Sequence, residues 1–175
     1  MDNYRSAYSF RGSISQRPED VIHVGIADMK IGKGPVYLKT VLGSCVGICL
    51  YSRRNRIGAL AHAMLPRHHQ IIQNKFKFAD TAIEEMIIQL KNMNVSIHDL
   101  EAKLFGGAKI YFSDTSGVLP DIGKMNVEAA EEVLENLRIS VVSRDVGGLM
   151  GRTIVFNIRN GNVVSKMFSG VEKIY

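Results

Sequence analysis

"TVLGSCVGICLYSRRNRIGALAHAMLP", Thr40 to Pro66, decides how this chain is organised. Two apolar runs, VGICLY and IGALAHAML, flank the basic segment SRRNR at 52–56. Runs of this length separated by a few polar residues predict an antiparallel hairpin with a short loop. Facing residues in such a pair have numbers that sum to a constant, so a turn centred between Arg53 and Arg54 sets Cys45 directly opposite His62. Side chains opposed in this way on one face have Cβ atoms about 4.5–5.5 Å apart, close enough for a thiol–imidazole contact. A slip of one residue would turn one of them to the other face.

Upstream of the hairpin, VIHVGIADM (Val21 to Met29) predicts one strand, and PVYLKT a second, entered from the Gly-Lys-Gly-Pro turn at 32–35. Downstream, FADTAIEEMIIQLKNM places Ala79, Ile83, Met86, Ile87 and Leu90 at helical spacing. EAKLFGGA reads as a buried strand ending in Gly106-Gly107. VEAAEEVLENL, with Asn126 as its N-cap, lines up Val127, Ala130, Val133, Leu134 and Leu137 on a second helix. ISVVSRDV alternates as a strand does, and RTIVFNIRNGNVVSKMF carries the hairpin signal Asn160-Gly161. Seven or eight strands with two long helices predict a mixed α/β (α+β) domain with substantial antiparallel pairing, spanning 21–175. Residues 1–20, without apolar periodicity, read as a flexible N-terminal arm.

At 175 residues, with 46% apolar and 22% charged residues, the chain has the length and composition of one globular domain. The longest apolar run, Val41 to Tyr51, falls short of the roughly 18 residues of a membrane span. MDNYRSAYSFRGSISQRPED lacks a secretory apolar core, so a cytoplasmic protein is expected, with Cys45 and Cys49 as free thiols. The net charge of +5 is spread along the chain; without interleaved aromatics, SRRNR reads as a solvated turn, not a nucleic-acid site.

Cys45 and His62 admit a chemical reading. A neighbouring imidazolium depresses a thiol's pKa and supplies a nucleophilic thiolate. Gly43 and Ser44 precede Cys45, and a tight turn there could aim backbone amides at the point of attack, as an oxyanion hole requires. The competing reading is a buried thiol beside an incidental histidine, since free cysteine packs as a small apolar group. Cys49, deeper in the apolar run, reads as such a core thiol. His68-His69, His23 and His98 lack partners in the sequence that would make a metal site, the glycines of LFGGAKIYF lack a phosphate-binding lysine pattern, and Met86 and Met93 read as core filler.

The blocks TVLGSCVGICLY, IGALAHAMLP, FADTAI, KLFGGA, IGKMNVEAA and DVGGLMGRTIVFNIRNG, in this order from Val21 to Phe168, resemble the CheD family of chemoreceptor glutamine deamidases. The resemblance implies hydrolysis of glutamine side-chain amides on the cytoplasmic helical region of chemotaxis receptors. It implies a β-sandwich flanked by helices, similar to the catalytic domain of the cytotoxic necrotizing factor toxins. It places the family's nucleophile on Cys45, its histidine on His62 and its hydroxyl-bearing third residue on Thr40, with no cofactor and no metal. Gly43 and Ser44 remain the backbone oxyanion candidates. Some relatives bind the phosphatase CheC, so a non-catalytic partner of CheC or of receptors is the alternative function. A cysteine protease or transglutaminase-like acyl transferase would share the thioester intermediate.

Overall fold

The computed structural model describes residues 20–68, 73–110 and 120–175. The arm expected at the N-terminus and His69 lie outside the described residues, apart from Asp20. In chain order the elements are β1 (Asp20–His23), β2 (Asp28–Lys33), β3 (Val36–Leu42), β4 (Val46–Ser52), β5 (Ile57–Ala63), α1 (Ala79–Asn92), β6 (Leu100–Gly106), α2 (Ile122–Asn136), β7 (Ser140–Val146), β8 (Arg152–Asn157), β9 (Val163–Met167) and β10 (Glu172–Ile174). They build two five-stranded sheets, ordered β1-β3-β8-β9-β10 and β2-β5-β4-β6-β7. Pairing is antiparallel except for β1 with β3 and β6 with β7. The mixed α/β sandwich expected from the sequence is the observed architecture.

The second sheet is the middle of three layers, which is why β4 and β5 read as unbroken apolar runs: each is buried along its whole length. Val46, Ile48 and Leu50 of β4 and Ala59, Ala61 and Ala63 of β5 point to the helices, where they meet Ile83, Met86 and Leu90 of α1 and Ala130 and Leu134 of α2. Cys49, Tyr51 and Leu60 point the other way, into a core shared with Leu38, Leu42, Ile154 and Phe156 of the first sheet. Tyr51 and Phe156 close that core edge to face, with ring centroids 5.9 Å apart. Strict alternation along a strand thus assigns every β4 and β5 residue to one layer or the other.

Four expectations are corrected. The single strand expected at Val21–Met29 is two: β1 pairs with β3 in one sheet and β2 with β5 in the other. The chain crosses between them around Gly25 to Ala27, where Ala27 takes a left-handed φ of 54°. The second helix starts at Ile122, capped by Asp121, whose carboxylate accepts from the Lys124 amide at 3.0 Å, so Asn126 stands inside the helix and caps nothing. β10, which carries no alternating pattern, brings the total to ten strands where seven or eight were expected. Met93, expected in the core, is 38% exposed at the end of α1.

One close approach has a firm energetic consequence. Gly106, at φ 91°, ends β6 against the Cys45 carbonyl, and a Cβ there would stand 2.3 Å from that oxygen. Gly106→Ala is therefore expected to destabilise the fold by roughly 2–4 kcal/mol through combined dihedral strain and collision. For a domain of this size that is a fall of about 5–15 °C in Tm, readable by thermal denaturation; an unchanged Tm would contradict the packing described.

Candidate active site

The residues singled out in the sequence meet at one end of the layer between the sheets. Thr40 comes from β3 of the outer sheet, His62 from β5 of the middle sheet, and Cys45 from the bend at 43–45 that carries the chain from one sheet to the other. Thr40 and His62 are 3% and 2% exposed, whereas Cys45 is only half-buried. A buried histidine beside a bend with a partly exposed thiol gives an internal group next to one that solvent reaches.

Hydrogen-bond bookkeeping fixes the state of His62. Thr40 Oγ1 lies 2.8 Å from the Val24 carbonyl oxygen and 2.8 Å from His62 Nδ1. A carbonyl can only accept, so the single hydroxyl proton of Thr40 goes to Val24, and Thr40 Oγ1 must then accept from His62 Nδ1–H. The neutral ring is thereby held as the Nδ1–H tautomer, which leaves Nε2 with the free lone pair. Asp28, opposite His62 on β2, engages Lys30 and the Met29 amide with its carboxylate. The group that orients the imidazole is thus an uncharged hydroxyl.

The register differs from the expected one. Ser52 pairs with Ile57, the loop spans four residues, and His62 faces Gly47, not Cys45. Ser52 stays in the ladder because its hydroxyl binds Asn55, donating to Oδ1 at 2.8 Å and accepting from the amide at 3.3 Å, and Arg56 turns the loop with a φ of 50°. The turn centre moves one residue toward the C-terminus, so the pairing moves by two. An even offset keeps the face: Cys45, one residue before the last rung of the ladder, packs against the inter-sheet core on the side that His62 faces. Gly47, bare of a side chain, stands opposite the imidazole with Leu42 packed over it.

The expected thiolate–imidazolium pair is corrected too. Burial pushes the Cys45 thiol up, opposed by its own backbone amide, and burial drops His62 to about 4. Both groups are therefore neutral near pH 7. Cys49 is fully buried in the inter-sheet core, where burial drives its thiol far above the ordinary range, as a core thiol requires.

The bend carrying Cys45 is anchored through three successive carbonyls. Gly43 O accepts from the Ala108 amide at 2.9 Å, Ser44 O from Asn126 Nδ2 at 2.9 Å, and Cys45 O from the Gly107 amide at 2.8 Å. In a trans peptide the N–H points opposite the C=O. Holding the carbonyls of Gly43 and Ser44 from behind therefore turns the amides of Ser44 and Cys45 the other way, and the Cys45 amide lies toward its own sulfur. Gly43 sits against Ile110, whose Cδ1 would be 2.7 Å from an added Cβ.

Sequence reasoning missed two further elements of this end. Arg152, 1% exposed, pairs with Asp145 Oδ1 at 2.8 Å and also donates to the carbonyls of Asp145 and Gly147, while Ser165 Oγ donates to Asp145 Oδ2 at 2.6 Å. This buried network holds the Gly147–Gly151 loop, whose Gly148 carbonyl accepts from the Lys109 amide. Around the bend and this loop stand exposed Ile110, Leu149, Met150 and Phe168. An Arg inside an apolar strand was the available signal for the first, and Leu-Met between glycines for the second. His68 binds Asp80 at 3.0 Å, apart from the Thr40–His62 pair. Among the described residues no three His, Cys, Asp or Glu side chains converge to hold a metal, and no helix is long and apolar enough to cross a membrane.

With this geometry in view, the comparisons with known proteins are specific. Residues 64–167 match the family described as CheD chemotactic sensory transduction. The chain belongs to the CheD family. A relative from Clostridium tetani is 44% identical over 147 residues, covering 82% of this chain and 88% of its own length. One from Clostridium kluyveri is 42% identical over 87% of this chain and 97% of its own, and one from Methanococcus vannielii 37% identical over 88% and 99%. Each is named a probable chemoreceptor glutamine deamidase CheD. The family match begins two residues after His62, but alignments of such coverage necessarily take in Thr40 to His62.

His62 gives this arrangement a pH signature. Its folded pKa of about 4 lies below the ordinary 6.5, so between these values the unfolded chain binds more protons than the folded one. Stability is then complete above about pH 6.5 and falls as the pH drops toward 4, by on the order of 3 kcal/mol. Urea denaturation at pH 7 and pH 4.5 should show this loss in the wild type and a smaller one in His62→Gln, because the carboxylates titrate alike in both. Equal losses would mean that His62 is not held neutral.

Proposed function

We propose that this protein is a chemoreceptor glutamine deamidase in which Cys45 is the nucleophile, His62 the general base and acid, and Thr40 the residue that orients the imidazole. The observation that carries the reading is the Thr40 hydroxyl: it donates to Val24 and so leaves His62 with Nε2 as its free acceptor, on the face that Cys45 shares. Family membership, with relatives named for this activity, supports the substrate class.

The reaction runs from neutral partners. As the glutamine carboxamide arrives, the Cys45 thiol gives its proton to His62 Nε2 and the sulfur attacks the carboxamide carbon. The oxyanion that forms is met by the amides of Ser44 and Cys45, turned forward by the anchored carbonyls behind them; Gly43 allows the bend. His62 returns the proton to the leaving nitrogen, ammonia departs, and a thioester remains on Cys45. Water then gives a proton to Nε2 and attacks the thioester carbon, releasing glutamate and restoring the thiol. Because every step uses side chains and water, the chemistry calls for neither metal nor organic cofactor.

The apolar rim of Ile110, Leu149, Met150 and Phe168 suits a protein surface better than a small ligand, since an exposed cluster of this kind marks protein contact. Receptor helices are the substrate surface under this reading. Docking to CheC is the alternative use of the same rim, and the two are separable by assay.

Peptide mass spectrometry on a receptor cytoplasmic fragment tests the proposal. Wild type and Cys49→Ala should convert glutamines to glutamates, and Cys45→Ala should convert none. His62→Asn should lose about 10²–10⁴-fold in kcat. Thr40→Val, which strands a buried N–H and a buried carbonyl, should lose about 10–100-fold. If wild type binds the fragment without modifying it, the deamidase reading fails and the docking one replaces it.

A further inference from the structure

We infer that Asn126 is the positioning residue that sets the spacing between the Cys45 bend and the His62 strand, an assignment that rests on reading Cys45 and His62 as the reacting pair. The β4–β5 ladder ends at Val46 opposite Ala63. Beyond that rung the two chains present carbonyls, Ser44 O on one side and Met64 O on the other, and two acceptors cannot bond each other. Asn126, fully buried on α2, puts its amide nitrogen between them, donating to Ser44 O at 2.9 Å and to Met64 O at 3.1 Å. Ser44 immediately precedes Cys45, and Met64 follows His62 by two. The amide therefore acts as one more rung, supplied from a third element, at the point where the ladder would otherwise fray.

The residue type follows from this job. Both neighbours are acceptors, so the nitrogen must face them, and the orientation of the amide is fixed by the network. Ser or Thr offers one proton where two are needed, Asp offers oxygens to oxygens, and Leu offers nothing. Asn126 Oδ1 is buried with no hydrogen-bond partner among the described residues. An acceptor left in that state belongs to a group kept for its two donors, on a helix stripe that is otherwise Gly123, Val127, Ala130 and Leu134.

The test compares Asn126→Asp and Asn126→Leu with Leu134→Ala, a large-to-small change in the core of the same helix. Readouts are kcat and KM for deamidation of the receptor fragment, and the rate of Cys45 alkylation by iodoacetamide in a Cys49→Ala background, all well below each Tm. The Asn126 variants should lose about 100-fold in kcat with KM within about threefold, the signature of misplaced reacting groups. Their Cys45 alkylation should be several-fold faster, because a loosened bend exposes the sulfur. Leu134→Ala should lower Tm and move neither rate. Folded Asn126 variants with near-wild-type kcat, or an equal kcat loss in Leu134→Ala, would overturn the assignment. If wild type deamidates nothing, the function proposed above fails, and alkylation alone decides here: faster in the Asn126 variants supports the inference and unchanged overturns it. Should neither variant fold, hydrogen exchange of the Asn126 side-chain amide in wild type decides, slow exchange supporting the rung and exchange as fast as an exposed asparagine refuting it.

Discussion

Thr40 has one hydroxyl proton and two neighbours within 2.8 Å, and because Val24 offers only a carbonyl, the proton's destination is forced. From that allocation the rest of the site follows. The imidazole must donate through Nδ1, Nε2 must be bare, and the ring must lie where an outer-sheet strand can reach a middle-sheet one. Val24 belongs to the short connection between sheets, and its own amide bonds Lys39 on β3, so the acceptor that decides the tautomer is itself pinned. The two sheets are thereby held together by apolar packing over most of their area and by a directional bond at the Thr40–His62 end.

A second constraint comes from the peptide group. The bend at 43–45 has its three carbonyls tied to the end of β6 and to α2, and trans geometry converts that tie into a direction for the amides in front. Gly106 and Gly107 are what let β6 come close enough to do this, and the Arg152–Asp145 pair holds the neighbouring glycine loop, whose Gly147 amide bonds the Gly106 carbonyl. The glycines of KLFGGA and DVGGLMG thus belong to one structure at one end of the sandwich, although some forty residues apart in the chain.

The hairpin was legible because β4 and β5 are buried throughout, and the helices because their apolar stripes repeat at the helical period. The common face of Cys45 and His62 was legible through parity: an even error in register keeps two side chains on one side of a sheet, so a turn centre misplaced by one residue did not change the face. Thr40 could not be reached that way. It lies on the other sheet, and no spacing rule within a hairpin reports on a strand packed across a core; only the family resemblance pointed to it. Asn126 was misread because an N-cap and a buried tether favour the same residue, and Asp121 does the capping one turn earlier. Its position in the apolar stripe of Val127, Ala130 and Leu134 was the clue, since a polar residue there must bond something across the interface.

The neutral resting state bears on how such a site could be both stable and reactive. Burial raises the thiol and lowers the imidazole, so the gap between their proton affinities is wider than the roughly 2 units that separate them in water. The ion pair is correspondingly rare in the free protein, and a half-exposed cysteine kept as a thiol resists oxidants and alkylators that act on thiolates. Under the proposed function, proton transfer from Cys45 to His62 becomes favourable only when something compensates the charges it creates. An amide carbonyl placed over the sulfur does so, because the negative charge then moves onward to an oxygen facing backbone donors while the imidazolium is shielded by the Thr40 oxygen. In the proposed reaction the same burial that silences the pair at rest would strengthen those interactions once a substrate covered the site, so that the carboxamide itself would supply the missing condition.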